Sequence, residues 1–187
     1  MLSHTELKKG VRFILNGQPY EVVESSFLFK GRGSSTVQAK IRNLITGNVS
    51  SRTFHAGEEF EEAEISKIEA KFIYTHRGKY CFSEKDNPSH RFELTQEQIG
   101  PQAKFLKPGE TVEALEFEGK IINIILPIKI KLKVIEAPPG LKGDRAQAGT
   151  KQVTLETGAK INTPLFIEKG DIVEVNTETG EYVRRVE

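Results

Sequence analysis

The class of fold can be inferred from one stretch near the start of the chain, Val11-Arg12-Phe13-Ile14-Leu15-Asn16-Gly17-Gln18-Pro19-Tyr20-Glu21-Val22-Val23. Two runs rich in β-branched and aromatic residues flank the dipeptide Asn16-Gly17. Asparagine and glycine accept the positive φ angles that a tight hairpin turn requires. The stretch therefore predicts a β-hairpin near the start of the chain.

The same pattern repeats along the chain, because short strand-like runs alternate with glycine-containing turns. Further hairpins are predicted at Thr46-Gly47-Asn48, Arg77-Gly78-Lys79 and Glu118-Gly119-Lys120. A total of about fifteen short strands, spaced by roughly 8–12 residues, favours several small barrels over one sandwich. The sequence thus predicts an all-β protein.

We expect three barrels, formed by residues 1–64, 65–126 and 127–187. Pro127 marks the last boundary. Within the second barrel, Thr95-Gln96-Glu97-Gln98-Ile99 has the polarity of a short helix with Thr95 as its N-cap.

The composition excludes several classes of protein. The 187 residues carry 27 basic and 26 acidic side chains and are 37% hydrophobic. No apolar run reaches the length of a transmembrane helix, so no membrane association is expected. A single cysteine excludes an intramolecular disulfide and a multi-cysteine zinc site, and it predicts a reduced, cytoplasmic location.

The charges are unevenly distributed. Residues 1–57 carry eight Lys or Arg side chains against three acids, whereas residues 58–64 carry five acids in seven positions. The first part can offer a basic face to an anionic partner. For the acidic run, a solvated edge between domains is favoured over a cation site. The candidate RNA contacts are Lys40, Arg42, Tyr182, Arg184 and Arg185.

The stretch Ile128-Lys129-Ile130-Lys131-Leu132-Lys133-Val134 alternates apolar residues with lysines. This alternation predicts a strand with a solvated lysine face, and binding of phosphates is the alternative.

The segment Lys30-Gly31-Arg32-Gly33-Ser34 lies between two further strand-like runs, Phe27-Leu28-Phe29 and residues 37–42. Glycine permits a sharp turn and leaves no bulk around the arginine. The pattern predicts a hairpin tip that presents one permanently charged side chain to a partner. On its own, however, the pattern favours a solvated turn.

No catalytic constellation is convincing. Cys81 could be paired with His76 or His90 as a nucleophile and base, but it lies between Tyr80 and Phe82, which favours a buried, inert thiol. The histidines lack zinc-ligand spacing, and the sequence contains neither a P-loop nor a dinucleotide fingerprint. We therefore expect a protein that is not an enzyme and that needs no metal or cofactor.

Several segments, in order, resemble bacterial translation elongation factor P over essentially the whole chain. In the first third they include Asn43-Leu44-Ile45-Thr46-Gly47 and the loop around Arg32. In the last third they include Pro139-Gly140-Leu141-Lys142-Gly143-Asp144, Pro164-Leu165-Phe166-Ile167 and Gly180-Glu181-Tyr182-Val183-Arg184-Arg185-Val186.

The resemblance implies one SH3-like barrel and two OB-type barrels in an L shape like that of transfer RNA. It implies a monomer that binds the 70S ribosome and its rRNA between the peptidyl and exit sites. There it would contact peptidyl-tRNA and promote peptide bond formation at consecutive prolines. Arg32 would be the tip near the peptidyl transferase centre, and Gly143, Asp144 and Arg145 would lie in a loop that approaches the exit-site mRNA codon.

Arginine at the tip also resembles the family members that receive a rhamnose from a dedicated glycosyltransferase. Three positions depart from the family pattern: Lys30 replaces a proline, Arg145 replaces a threonine, and residues 150–153 lack the usual Lys-Pro-Ala. Modification of Lys30 instead of Arg32 is one alternative. At the level of function, the alternatives are a general RNA- or ribosome-binding protein without a proline-specific role and a Cys81-dependent enzyme.

Overall fold

The computed structural model of the protein describes residues 1–30, 34–139 and 149–186. Within these ranges the chain forms sixteen strands, one short α-helix and two 3-10 helices. The predicted all-β class is confirmed. No helix in the described ranges has the length and apolar character needed to cross a membrane.

The first sheet is antiparallel with the strand order β2-β3-β4-β5. Asn16 and Gly17 adopt φ angles of 51° and 75° between β2 and β3, which confirms the predicted hairpin. A separate two-stranded pair, β1 with β6, lies beside this sheet. The strands are β1 (Leu2–Ser3), β2 (Arg12–Leu15), β3 (Gln18–Lys30), β4 (Ser34–Asn43), β5 (Val49–His55) and β6 (Glu59–Phe60).

Aromatic side chains fill the core of the first sheet. The rings of Phe13, Phe54 and Phe60 pack edge to face, with ring centroids 5.2–5.7 Å apart. Phe13 and Phe54 are completely buried. Aromatic pairs of this geometry add stability beyond the burial of their area.

The second sheet has the order β11-β10-β7-β8-β9. The predicted turns at Arg77-Gly78 and Glu118-Gly119 are confirmed, since all four residues have positive φ angles. The strands are β7 (Ser66–His76), β8 (Lys79–Glu84), β9 (Arg91–Thr95), β10 (Thr111–Phe117) and β11 (Lys120–Ile125).

Helix α1 (Gln96–Ile99) confirms the predicted short helix. The Thr95 hydroxyl accepts a hydrogen bond from the Gln98 backbone N–H, and the Gln98 side chain accepts one from the Thr95 N–H. This reciprocal capping satisfies two backbone donors that the helix start would otherwise leave open. The 3-10 helices His4–Glu6 and Pro101–Phe105 were not expected from the sequence.

The third sheet has the order β14-β13-β12-β15-β16. Lys129, Lys131 and Lys133 are exposed on β12 while the residues between them are buried, which confirms the solvated lysine face. The strands are β12 (Lys129–Glu136), β13 (Thr150–Leu155), β14 (Lys160–Pro164), β15 (Ile172–Asn176) and β16 (Tyr182–Val186).

The composition of residues 160–167 predicts one strand over the whole run, but β14 is shorter. Strand β14 ends at Pro164, where the Ile167 N–H donates to the Pro164 carbonyl and closes a turn. Ile167 is nevertheless completely buried. The apolar run therefore signals burial at this position, and the turn takes the place of the last part of the predicted strand.

The described chain forms two compact units. One contains residues 1–69, 94–100 and 113–124, and the other contains the remaining described residues. In the first unit, Leu44 packs with Leu115 and Ile122. In the second, Phe105 joins the core of the third sheet. Residues of the expected middle barrel thus occur in both units, and the three-domain boundaries stay a prediction.

Candidate functional site

The hairpin of β3 and β4 carries the predicted tip. The two strands pair in antiparallel register from Tyr20↔Asn43 to Lys30↔Ser34. The arms of the hairpin are therefore present as expected. Gly31, Arg32 and Gly33 connect them and lie outside the described residues, so the role of Arg32 stays a prediction.

Strand β3 is one continuous strand, whereas the sequence suggests separate segments at Tyr20–Val23 and at residues 27–29. A register shift lies between Val22 and Glu24, because Val22 pairs with Ile41 and Glu24 pairs with the adjacent Lys40. Val23 is thus one extra residue, a β-bulge. Bulges increase local twist and redirect the side chains that follow.

Two apolar side chains are exposed on the first arm of the hairpin. Phe27 lies opposite Val37, and Leu28 lies opposite Thr36. The exposed fractions are 46% for Phe27 and 43% for Leu28, whereas Val37 retains only 3%. Alternation along a strand places Phe27 and Leu28 on opposite faces. Both faces of the arm near the loop therefore offer apolar surface.

Lys40 and Arg42 lie two residues apart on β4, so their side chains share the solvated face of the first sheet. Lys40 forms a salt bridge with Glu24 at 3.0 Å. Arg42 pairs across the strands with Glu21, whose carboxylate accepts from Arg12 at 3.2 Å. The structure thus brings together these two predicted RNA contacts, and acidic side chains on β3 lie beside both of them.

The three predicted contacts on β16 have different surroundings. Tyr182 packs against the core of the third sheet. The Arg184 guanidinium donates to Glu174 at 3.2 Å, and Arg185 lies 3.8 Å from Asp171 and 5.7 Å from the centre of the Phe166 ring. Consecutive residues of a strand point to opposite faces, so Arg184 and Arg185 do not form one patch.

Glu174 is the acidic centre of the solvated face of the third sheet. Its side chain is only 8% exposed and lies 3.7 Å from Lys129 in addition to its bond with Arg184. The hydrogen bond from Arg184, followed by the charges of Arg184 and Lys129, lowers the pKa of the Glu174 carboxyl. Part of the cationic surface predicted from the sequence is therefore neutralised.

The predicted loop with Gly143, Asp144 and Arg145 lies outside the described residues, but both of its flanks are described. The Lys151 ammonium donates to the Pro138 carbonyl at 3.0 Å, and the Thr154 hydroxyl donates to Glu136 at 3.1 Å. These two bonds tie the end of β12 and the segment after it to β13.

Cys81 is 4% exposed, which confirms the expected burial of its thiol. It pairs across the strands with Tyr74. A hydrogen bond with Cys81 raises the pKa of the Tyr74 hydroxyl.

His4, a buried histidine near the hairpin, is not among the site residues predicted from the sequence. His4 Nε2 lies 2.9 Å from the Ser35 hydroxyl, one residue after the start of β4. The sequence does carry a local signal for the turn that holds His4, since Ser3 and Glu6 have capping-box spacing. It carries no signal that this turn contacts a residue 31 positions later.

Comparison with known proteins decides the family. Residues 3–60 match the elongation factor P KOW-like domain, and residues 130–185 match the elongation factor P C-terminal domain. Elongation factor P of Syntrophus aciditrophicus is 41% identical over 186 residues, covering all of this chain and 99% of its own length. The chain belongs to the elongation factor P family.

Two further elongation factor P relatives match as completely. The protein of Moorella thermoacetica is 40% identical and covers 99% of this chain, and that of Carboxydothermus hydrogenoformans is 37% identical and covers 100%. Both are matched over their full length. Among solved structures, eukaryotic translation initiation factor 5A from Methanococcus jannaschii covers 66% of this chain at 20% identity, with a TM-score of 0.47.

Proposed function

We propose that this member of the elongation factor P family is a non-enzymatic translation factor. It binds the 70S ribosome between the peptidyl and exit sites, contacts peptidyl-tRNA and rRNA, and promotes peptide bond formation at consecutive prolines. Arg32 is the acting tip. Ribosomal RNA performs the chemistry, and the factor reduces the entropic cost of aligning a poorly placed substrate.

One observation supports the role of Arg32 more than any other. The pairing of β3 with β4 continues to Lys30↔Ser34, so Arg32 is the middle residue of a three-residue connection. A guanidinium offers five N–H donors and a permanent charge, which suit phosphates and the terminal nucleotides of tRNA.

The proposal predicts that Arg32→Ala abolishes the stimulation of a Pro-Pro-Pro reporter in a reconstituted translation system. Arg91→Ala is the matched control, because Arg91 is an exposed arginine that begins β9 in the second sheet. The control variant should retain full stimulation. Stimulation by Arg32→Ala equal to that of the unchanged protein would contradict a direct role of Arg32.

A second reporter without proline runs separates the proposal from a general RNA- or ribosome-binding function. Proline-specific action requires stimulation of the Pro-Pro-Pro reporter alone, whereas equal stimulation of both reporters favours the general function. The intact mass of the protein purified from its own cells is measured in parallel. A deoxyhexose increment on the Arg32 peptide would identify rhamnosylation, and an increment on Lys30 would move the modification to that residue.

A further inference from the structure

His4 differs from the other histidines of the protein. All four histidines lie within the described residues, and His4 alone is buried, with an exposed fraction of 8%. Its imidazole is hydrogen-bonded to the Ser35 hydroxyl at 2.9 Å. A buried polar group that has a specific partner resists displacement, because breaking the bond would leave the group without hydration.

Ser35 lies where the first sheet narrows. Strand β5 pairs with β4 as far as Thr36↔His55 within the described residues. Among the described residues from Ser35 toward the loop, β4 pairs only with β3, at Phe29 and Lys30. A two-stranded hairpin is marginally stable by itself. Ser35 is therefore the first residue of β4, counted toward the loop, that pairs with β3 but not with β5. The hydrogen bond from His4 reaches β4 at this residue.

His4 itself is held firmly by the barrel. Strand β1, which precedes it, pairs with β6 through Leu2↔Phe60 and Ser3↔Glu59. Leu7, which follows the 3-10 helix, is 1% exposed and packs into the core of the first sheet. These contacts make His4 a rigid point of attachment.

The carboxylate of Glu6 closes the turn around His4. It accepts hydrogen bonds from the Ser3 backbone N–H and the Ser3 hydroxyl, both at 2.8 Å. The backbone N–H of Ser3, followed by its hydroxyl, lowers the pKa of Glu6, so the carboxylate is ionised and the turn is closed at neutral pH.

We propose that His4 is a positioning residue for the hairpin. Its hydrogen bond with Ser35 braces the β3–β4 arms where β5 ends and so fixes the direction in which the loop between them is presented. This inference rests on the proposed function, because positioning matters only if the loop acts on a partner. It assigns a functional role to a residue that lies outside the hairpin.

Four single variants, the double variant His4→Phe/Ser35→Ala and one control variant test this hydrogen bond, which is called the brace below. His4→Phe keeps an aromatic ring but removes the bond, and Ser35→Ala removes it from the other side. His4→Gln places an amide near the position of Nε2, and Ser35→Thr keeps the hydroxyl. Both variants should therefore retain most of the stimulation of peptide bond formation. His76→Phe is the control for His4→Phe, because His76 is exposed at the end of β7.

The first measurement is peptide bond formation at a proline run as a function of factor concentration. His4→Phe and Ser35→Ala should each lower the maximal rate by about threefold to tenfold, the range that one hydrogen bond allows. The half-saturating concentration should change by less than about twofold, because ribosome contacts are retained. The double variant should be no worse than either single variant, since both remove the same bond. Additive losses, or a change confined to the half-saturating concentration, would overturn the positioning role.

The second measurement needs no ribosome. Amide hydrogen exchange of peptides covering residues 24–30 and 34–40 should be faster in His4→Phe and Ser35→Ala than in His76→Phe. Unchanged exchange would overturn the brace itself. If the unchanged protein gave no proline-specific stimulation while exchange still increased, the proposed function would fall and the brace would remain as a structural feature only.

Discussion

At the scale of single residues, the sequence predicts positions with a local signature and misses those whose partner is distant. Asn16 and Thr95 were predicted correctly because the turn and the cap depend on immediate neighbours. The role of Glu174 was not foreseen. Its partner Lys129 lies 45 positions earlier, and only the pairing of β12, β15 and β16 brings it close to Lys129 and Arg184.

Glu174 gives a pH-dependent prediction. The hydrogen bond from Arg184 lowers the pKa of the Glu174 carboxyl in the folded protein, so the carboxylate stabilises the fold above the unfolded pKa. This stabilisation is lost as the pH falls through the folded pKa. Glu174→Gln should therefore lower the free energy of unfolding at pH 7, and the difference from the unchanged protein should disappear in acid.

Urea unfolding between pH 2.5 and pH 7 measures this difference. Glu178→Gln is the control, because Glu178 is an exposed acid on the adjacent turn. A Glu174→Gln effect that stays constant across this range would show that the carboxylate charge does not stabilise the sheet.

At the scale of elements, the bulge at Val23 is the feature that only the structure revealed. Alternation predicts strands on both sides of it but cannot show that they are one strand with a single extra residue. The bulge places Phe27 opposite Val37 and Phe29 opposite Ser35. It thereby sets which side chains the hairpin arm presents on each face.

Deletion of Val23 should make the pairs Val22↔Ile41 and Glu24↔Lys40 adjacent in a regular ladder. The local twist and bend of the bulge would then be lost, and the end of the arm nearest the loop would be displaced. Because a misplacement of 1 Å can reduce a rate about 100-fold, stimulation of the proline reporter should fall by at least that factor. Val23→Ala retains the chain length and should preserve the stimulation. Equal activity of the deletion and Val23→Ala would contradict the importance of the bulge.

At the scale of the whole molecule, packing does not follow the order of segments along the chain. Phe105 belongs to the stretch that connects the strands of the second sheet, but it is 1% exposed in the core of the third sheet. Gly180 lies beside the Phe105 ring. A Cβ there would lie 3.7 Å from the Phe105 ring, and Gly180 has a φ of 74°, a region that favours glycine.

Phe105→Ala should destabilise the protein by about 3–5 kcal/mol, the usual cost of removing a buried aromatic ring. Amide exchange should increase in β12 and β15, whereas β2 and β5 should be protected as before. Phe13→Ala should give the reverse pattern, because Phe13 fills the core of the first sheet. Faster exchange in the first sheet of Phe105→Ala would contradict this assignment.

The all-β class, the tight turns, the cap of α1 and the lysine face of β12 follow from local sequence, because each depends on residues within a few positions. The sequence also carried the family motifs. Tertiary structure decided the end of β14, the continuity of β3 through its bulge, the charge partners of Glu174 and the bond from His4 to Ser35. Each of these joins residues far apart in the chain, and strand pairing, which local propensity does not encode, brings them together.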